Sequence, residues 1–330
     1  MPVPKKDGKV RMCVDYHDLK NASPKDDFPL PHIDVLVDTT AKSKVFSFMD
    51  GFSGYNQIKM AFEDRENTSF ITPWGNFYYK VMPFRFINSG ATYMRGMTTL
   101  FHEMMHTEIE VYVDDMIVKL SIEEEHVEYL LKMFQRQRKY QFRLNPTKCT
   151  FGVRSEKLLG FIVSQKGIEV DPDKVKAIRE MPAPKTEKQV RWFLGRLNYI
   201  SRFISHMTAT CGRIFKLLCK YQRIVSIEDS QKAFDSIKEY LLEPPILIPL
   251  VEGRPLIMHL TMLEDFMACV LGHQDETGRK EHAIYYLSKK FTDCESRYSM
   301  LEKTCCALSW AAKRLHHYMV NHSISLRSLF

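Results

Sequence analysis

Asp114 and Asp115 stand side by side in Ile109–Leu120, IEVYVDDMIVKL, in the middle of an apolar run. Adjacent carboxylates repel each other, and a cluster of them is costly unless cations neutralise it. A third acid, Asp50, ends the strand-like segment KVFSFMD and is followed by GFSGY. If the strands that carry these residues are neighbours in one sheet, three carboxylates converge at one edge. Such a set suits Mg²⁺, which takes a few carboxylates together with phosphate oxygens and water. Two such ions about 3.5–4 Å apart clamp the attacking and leaving oxygens of a phosphoryl transfer. The bland alternative is a polar hairpin turn, because aspartate is common in turns. The apolar flanks Tyr112-Val113 and Met116-Ile117-Val118, with a strand-end aspartate upstream, make the combination more specific than either part.

The elements that must hold these acids are legible in outline. KVRMCVDY and KVFSFMD pattern as strands, and NASPKDDFPLPHI as a loop. Pro73-Trp74-Gly75-Asn76 lies between two aromatic strands and marks a hairpin. EVYVDDMIVKL reads as strand, tight turn and strand. Helices then take over. Ser121-Ile122-Glu123-Glu124 and Thr186-Glu187-Lys188-Gln189 fit the capping-box pattern, and Ser226-Ile227-Glu228-Asp229 resembles it. Asp171-Pro172 places a cap residue before a first-turn proline. KLLGFIVSQKGIEV predicts a hairpin turning at Lys166-Gly167. Pro244-Pro245 marks a linker, followed by strands in PLIMHL, MACVLGH and HAIYYLS. Thr292-Asp293-Cys294-Glu295 is expected to cap a helix running to about Tyr318.

Of 330 residues, 45% are hydrophobic and 26% charged, which describes a globular chain long enough for two or three domains. A formal charge of +7 is compatible with a polyanionic partner without requiring one. The 8 cysteines form no C-x-x-C pair and no zinc spacing. No secretory signal or bilayer-length apolar run is evident, so the expectation is a reduced, intracellular protein with no membrane partner. Both ends are expected to be cuts through larger domains.

FMDGFSGYNQIKM, VMPFRFINSGATYMRGM, VYVDDMIV and LNPTKCTFGVRSEKLLGFIVSQKGI resemble consecutive core motifs of a reverse transcriptase, in particular that of the Pol polyprotein of gypsy-class long-terminal-repeat retrotransposons. PAPKTEKQVRWFLGRLNYISRFI resembles the connecting region after that polymerase. HAIYYLSKKFTDCESRYSMLEKTCCALSWAAKRL resembles its RNase H-like domain. The resemblance implies an α+β chain. Its parts are a right-hand fingers/palm region at residues 1–165, a mostly helical thumb/connection at 166–243, and an incomplete RNase H-like α/β domain at 244–330. It implies RNA-directed DNA synthesis from dNTPs onto a primer 3′-OH, with two Mg²⁺ ions or Mn²⁺ as cofactor. The implied partners are an RNA or DNA primer–template and other parts of a Pol polyprotein. The implied location is the cytoplasm, in a virus-like particle, or the nucleus. The rival is a catalytically dead, transposon-derived fragment that keeps only a nucleic-acid-binding or structural shell.

By the same resemblance Asp50, Asp114 and Asp115 are the catalytic, metal-binding carboxylates. Tyr55 is the aromatic residue that blocks a nucleotide 2′-OH, Lys5 and Arg11 hold the incoming triphosphate, and Lys148 lies near the leaving pyrophosphate. Outside the motifs, Tyr55 would read as core, and Lys5 or Arg11 as a solvated strand edge.

The sequence also departs from the family. Arg85 stands where the family has glycine, and Met94 where it usually has glutamine. That glycine lets backbone approach the nucleotide and template, and an arginine there could occlude the site. His17 and Lys20 replace the usual Arg and Asn. In the last region the family's first aspartate falls at Thr261 and its catalytic glutamate at Thr304. Glu264, Asp265 and Glu302 are nearby but are expected on a solvated loop or helix face. The expectation is an RNase H-like module that does not cut, as in a plant-type lineage whose degenerate domain sits beside a second RNase H.

Overall fold

The computed structural model describes residues 2–4, 8, 10–12, 14–84, 86–120, 122, 124–184, 186–216, 227–251, 253–320 and 322–329. The chain divides into two compact units, Met1–Leu36 with Ser43–Arg154, and Val37–Lys42 with Ser155–Phe330.

The first unit is built on a sheet whose strands are β3 (Val45–Asp50), β6 (Ile109–Tyr112), β7 (Asp115–Leu120) and β8 (Thr150–Val153). Two short antiparallel ribbons precede or interrupt it in the chain, β1 (Pro2–Pro4) with β2 (Val10–Met12), and β4 (Phe70–Thr72) with β5 (Gly75–Phe77). The helices are α1 (His17–Ala22), α2 (Ile33–Thr40), whose residues from Val37 on are assigned to the second unit, α3 (Phe62–Arg65), α4 (Ser89–Phe101) and α5 (His126–Lys139). The sheet order is β6-β7-β3-β8, antiparallel throughout. Tyr93, Met94, Met97, Leu100 and Phe101 of α4 pack with Met49, Val111, Met116 and Val118 of the sheet and Met133 of α5. Each such side chain contributes about 1.5–3 kcal/mol when fully buried. The β4–β5 ribbon turns at Pro73-Trp74, where the sequence places it. Helix α5 starts at His126 with Glu125 as an N-cap that makes no side-chain bond, later than the Ser121 pattern suggests. Ser121 and Glu123 lie outside the described residues.

The second unit opens on the antiparallel strands β9 (Ser155–Leu158), β10 (Phe161–Ser164) and β11 (Gly167–Val170). Gly167 holds φ +131°, and a Cβ there would meet the Leu247 carbonyl oxygen at 2.4 Å, so only glycine fits the end of this turn. The helices α6 (Pro172–Arg179), α7 (Glu187–Tyr199), α8 (Met207–Lys216) and α9 (Ile227–Tyr240) follow. Asp171 caps α6, its side chain accepting the Asp173 amide at 2.9 Å with Pro172 in the first turn. Thr186 and Gln189 form the full capping box of α7. Ser226 lies outside the described residues.

The last part has β12 (Leu256–Met262), β13 (Phe266–Gln274) and β14 (Glu281–Lys290), then α10 (Met300–Arg314), α11 (His316–Met319) and β15 (Ile324–Leu329). Its sheet order is β14-β13-β12-β15, with β15 parallel to β12. Alternate residues of the strands, Leu256, Met258, Leu260, Met267, Cys269 and Leu271, meet Ala307 and Ala311 of α10 in one apolar core. The helix expected from Thr292 is interrupted. Glu295 and Thr292 cap a short turn, Glu295–Arg297, and α10 starts afresh at Met300 from a second capping box, Ser299 with Glu302. Ser299-Met300-Leu301-Glu302 carries the same signal as the first box, and the two compete for one start.

Candidate active site

The hairpin β6–β7 turns through Val113-Asp114, and Tyr112 pairs with Asp115 across it. On the other side of β7, Asp50 is the register partner of Asp115. Opposed residues of an antiparallel pair point to the same face with Cβ atoms roughly 4.5–5.5 Å apart. Two of the three acids are therefore cross-strand neighbours at a strand end, and the third occupies the adjoining turn. Like charges placed so are repulsive, and the electrostatics carry that mark. Desolvation, and after it the charge of Asp50, raises the Asp115 carboxyl above the usual range, while Lys148 pulls the other way. Asp115 is nonetheless exposed to solvent.

Lys148 answers part of this charge. It lies in the turn Pro146–Lys148, and its Nζ donates to Asp50 Oδ2 at 2.5 Å. That hydrogen bond holds the lysine above its ordinary range, helped by the charges of Asp50, Asp114 and Asp115. One monovalent cation beside three carboxylates leaves net negative charge and an all-oxygen acceptor set. This is the donor chemistry a hard divalent ion takes.

Behind the acids the packing is tight. Gly51 and Gly54 come from GFSGY, and a Cβ at Gly54 would lie 2.8 Å from Tyr93 Oη and 3.0 Å from Asp114 Oδ1. The glycines are needed because the chain leaving β3 passes close to Tyr93 of α4. Tyr55 follows in the turn Gly54–Gln57, its ring 5.2 Å from Tyr93 and 6.0 Å from Phe84 between centroids. Burial, then the charge of Asp114, pushes the Tyr55 hydroxyl up to about 12.

Asp50, Asp114, Asp115, Lys148 and Tyr55 are thus brought together. Arg11 lies on β2, opposite Val3, with its side chain outside the described residues, as are Lys5 and Arg85. Thr261 ends up near the close of β12, paired with Ala268 and Leu329. Thr304, on α10, donates its hydroxyl to the Met300 carbonyl at 2.8 Å. Glu264 and Asp265 are exposed, and Glu302 is engaged in the α10 cap. The roles of Tyr93 and Phe84 as neighbours of Tyr55 carry no sequence signal beyond being aromatic. Among the described residues, no helix is long and apolar enough to cross a membrane. The described cysteines are free, with burial raising Cys211 and Cys269 to about 12.

Residues 3–163 match the family described as reverse transcriptase (RNA-dependent DNA polymerase), and residues 227–326 match the RNase H-like domain found in reverse transcriptase. The chain is 30% identical to the retrovirus-related Pol polyprotein from transposon 297 of Drosophila melanogaster, over 97% of its own length and 30% of that protein's. It is 28% identical to the transposon Tf2-3 polyprotein of Schizosaccharomyces pombe, over 97% of its length and 24% of that protein's. The chain therefore spans under a third of these relatives. Among solved structures, the foamy viral protease-reverse transcriptase in complex with dsDNA superposes with a TM-score of 0.89 at 21% identity, covering 100% of this chain and 68% of that one. The same enzyme's dRH form in complex with ds DNA gives 0.88 at 22%, covering 100% and 57%. The fold is accordingly that of a reverse transcriptase polymerase region followed by an RNase H-like domain. The chain carries the reverse transcriptase and RNase H-like regions of a Pol polyprotein of the long-terminal-repeat retrotransposon kind.

Proposed function

We propose that this chain is the RNA-directed DNA polymerase portion of a gypsy-class retrotransposon Pol polyprotein, of a plant-type lineage, adding dNTPs to a primer 3′-OH. The carrying observation is the register of Asp50 against Asp115 with Asp114 in the adjoining turn. The boundaries 1–165, 166–243 and 244–330 are read as fingers/palm, thumb/connection and RNase H-like module.

Asp50, Asp114 and Asp115 would hold Mg²⁺, two ions for which Mn²⁺ can substitute. When bound, the metal neutralises the carboxylates and supplies charge to the phosphoryl oxygens. Lys148 stays protonated beside Asp50 and offers an ammonium donor to the leaving pyrophosphate. Tyr55, backed by Tyr93 and Phe84, fills the space a ribose 2′-OH would need. Lys5 and Arg11 pair with the triphosphate. The primer–template is held mainly through its backbone, so affinity should fall as salt rises. The work is done inside cells, in a cytoplasmic particle or the nucleus, beside the other parts of the polyprotein. The RNase H-like module does not cut, because threonine at 261 and 304 supplies neither the charge nor the ligand strength two cations require.

Primer extension on a homopolymer template tests this, with the natural chain, Asp114→Asn and Arg85→Gly run together. Extension by the natural chain or by Arg85→Gly, abolished by adding Asp114→Asn, is expected. Calorimetric titration with Mg²⁺ and dNTP gives a readout apart from activity. If the natural chain and Asp114→Asn bind alike, the metal reading is wrong. Inactivity of every variant with normal primer–template binding would favour the rival reading, a nucleic-acid-binding shell.

A further inference from the structure

Val113, the residue that leads the hairpin into Asp114 and Asp115, sits at φ +52°. A β-branched side chain disfavours that left-handed region. A strained turn of this kind persists only where its surroundings fix it. The Val113 amide donates to Met94 Sδ at 3.0 Å. Met94 is 1% exposed and belongs to the same α4 surface that buries Tyr93, so the sulfur is held in place by the palm core. Tyr93, one residue earlier, is fully buried, its hydroxyl without a hydrogen-bond partner among the described residues, and it crowds Gly54 together with Asp114 Oδ1. Two consecutive residues of one helix therefore bear on the turn, one at its peptide and one behind its first carboxylate.

We propose that Met94 is a positioning residue for the aspartates: its thioether fixes the Val113 peptide and so sets the direction in which Asp114 and Asp115 leave the turn. This rests on the reading of those aspartates as the metal-holding set. Rotation of the Val113 peptide would swing both carboxylates together, because they follow it directly in the chain. Displacements near 1 Å at a reacting centre cost about 10²-fold in rate. A thioether is a weak acceptor, which makes this a soft hold that a stronger acceptor of similar length can replace. Glutamine, the residue this position usually has in the resembled family, is such an acceptor.

Met94→Leu keeps nearly the same volume and removes the acceptor, and Met94→Gln supplies a carbonyl. Amide hydrogen exchange across Glu110–Met116 is measured on the full chain without metal, with β12 and β13 as the folding control. Mn²⁺ affinity is followed in parallel by electron paramagnetic resonance. In Met94→Leu, exchange at the turn should rise about tenfold, in keeping with loss of one buried hydrogen bond. Mn²⁺ binding should weaken about tenfold, the lower end for losing an outer-shell partner. Met94→Gln should restore both. Unchanged turn exchange in Met94→Leu, or equal losses in the Leu and Gln variants, would overturn the proposal, the second by showing that packing alone is at stake. If the natural chain binds no Mn²⁺ while exchange responds as expected, the brace stands and the metal reading of the aspartates falls.

Discussion

The sheet β6-β7-β3-β8 carries aspartates at 50, 114 and 115 along one end, whereas β14-β13-β12-β15 and its helix α10 carry threonines at 261 and 304, where the resemblance puts acids. Both keep closed apolar cores, Met49, Val111, Met116 and Val118 under α4 in one, Leu256, Met258, Met267 and Cys269 under α10 in the other. The core is drawn from alternate strand positions facing a helix, and the compared aspartate and threonine positions from strand ends, a turn and, for Thr304, the body of α10. Threonine at 261 and 304 is therefore compatible with the fold of the second sheet. Keeping the acids in the first sets the Asp115 carboxyl against the charge of Asp50, which with desolvation raises it above its ordinary range, a local cost the core must outweigh.

The largest expected effect is on chemistry. Asp115→Asn or Asp114→Asn should slow single-turnover nucleotide addition about 10³-fold or more, since metal-borne charge is worth several kcal/mol and 1.36 kcal/mol is a decade. Hybrid cleavage should be absent from the natural chain and both variants. Release of labelled RNA in Mg²⁺ or Mn²⁺, lost on changing Glu264 or Asp265, would break the contrast between the sheets.

A second test separates charges that repel at a site from charges paired in a core. Within the second unit, Arg202 Nη2 donates to Asp38 Oδ1 at 2.9 Å, and both residues are about 98–99% removed from solvent. The guanidinium is also within 5.0–5.9 Å of the Tyr285, Phe161 and Phe203 ring centres. Asp38→Ala should cost about 3–5 kcal/mol in urea unfolding, because it leaves a buried cation without that carboxylate. A loss below about 1 kcal/mol would mean the pair is dispensable.

Selectivity should change by less. Tyr55→Val is expected to narrow the preference for dNTP over rNTP about 10–100-fold, the range for one steric contact of 1–3 kcal/mol. Measured kcat/KM ratios that stay put would remove Tyr55 from the role.

The smallest effect is the most pointed. Because the Asp115 carboxyl is raised on folding, the folded chain binds that proton more tightly than the unfolded one. Its contribution favours folding in acid and is lost as pH rises through the raised value. At neutral pH without metal, Asp115→Asn should therefore raise the melting temperature by about 1–2 °C, the scale of one solvent-screened contact, and the gain should vanish below the ordinary carboxylate range. A lowered melting temperature would show that the acids do not oppose folding.

Much of this was legible in the sequence where the signal is local. Asp171-Pro172, Thr186 with Gln189, and the hairpin turning around Asp114 depend on groups two to four residues apart, and all three form. The break at Tyr298 was not legible, because Thr292 and Ser299 offer equivalent caps and no local signal ranks one above the other. Strand β15 is less legible because the alternation of ISLRSL runs only over Ile324–Arg327 and breaks at Ser328, and its ladder with β12 supplies the reason for its conformation.

The sequence by itself determined that three aspartates would sit at a strand end and a hairpin tip, since residue type and period fix those local placements. Only the tertiary structure decided that Asp50 faces Asp115 rather than a neighbour one residue away, because register depends on which faces the whole sheet buries. The same holds for the Val113 amide on Met94 and for Arg202 on Asp38, 164 residues apart. Hydrogen bonds between residues distant in the chain depend on how the core closes, and no spacing in the sequence encodes them.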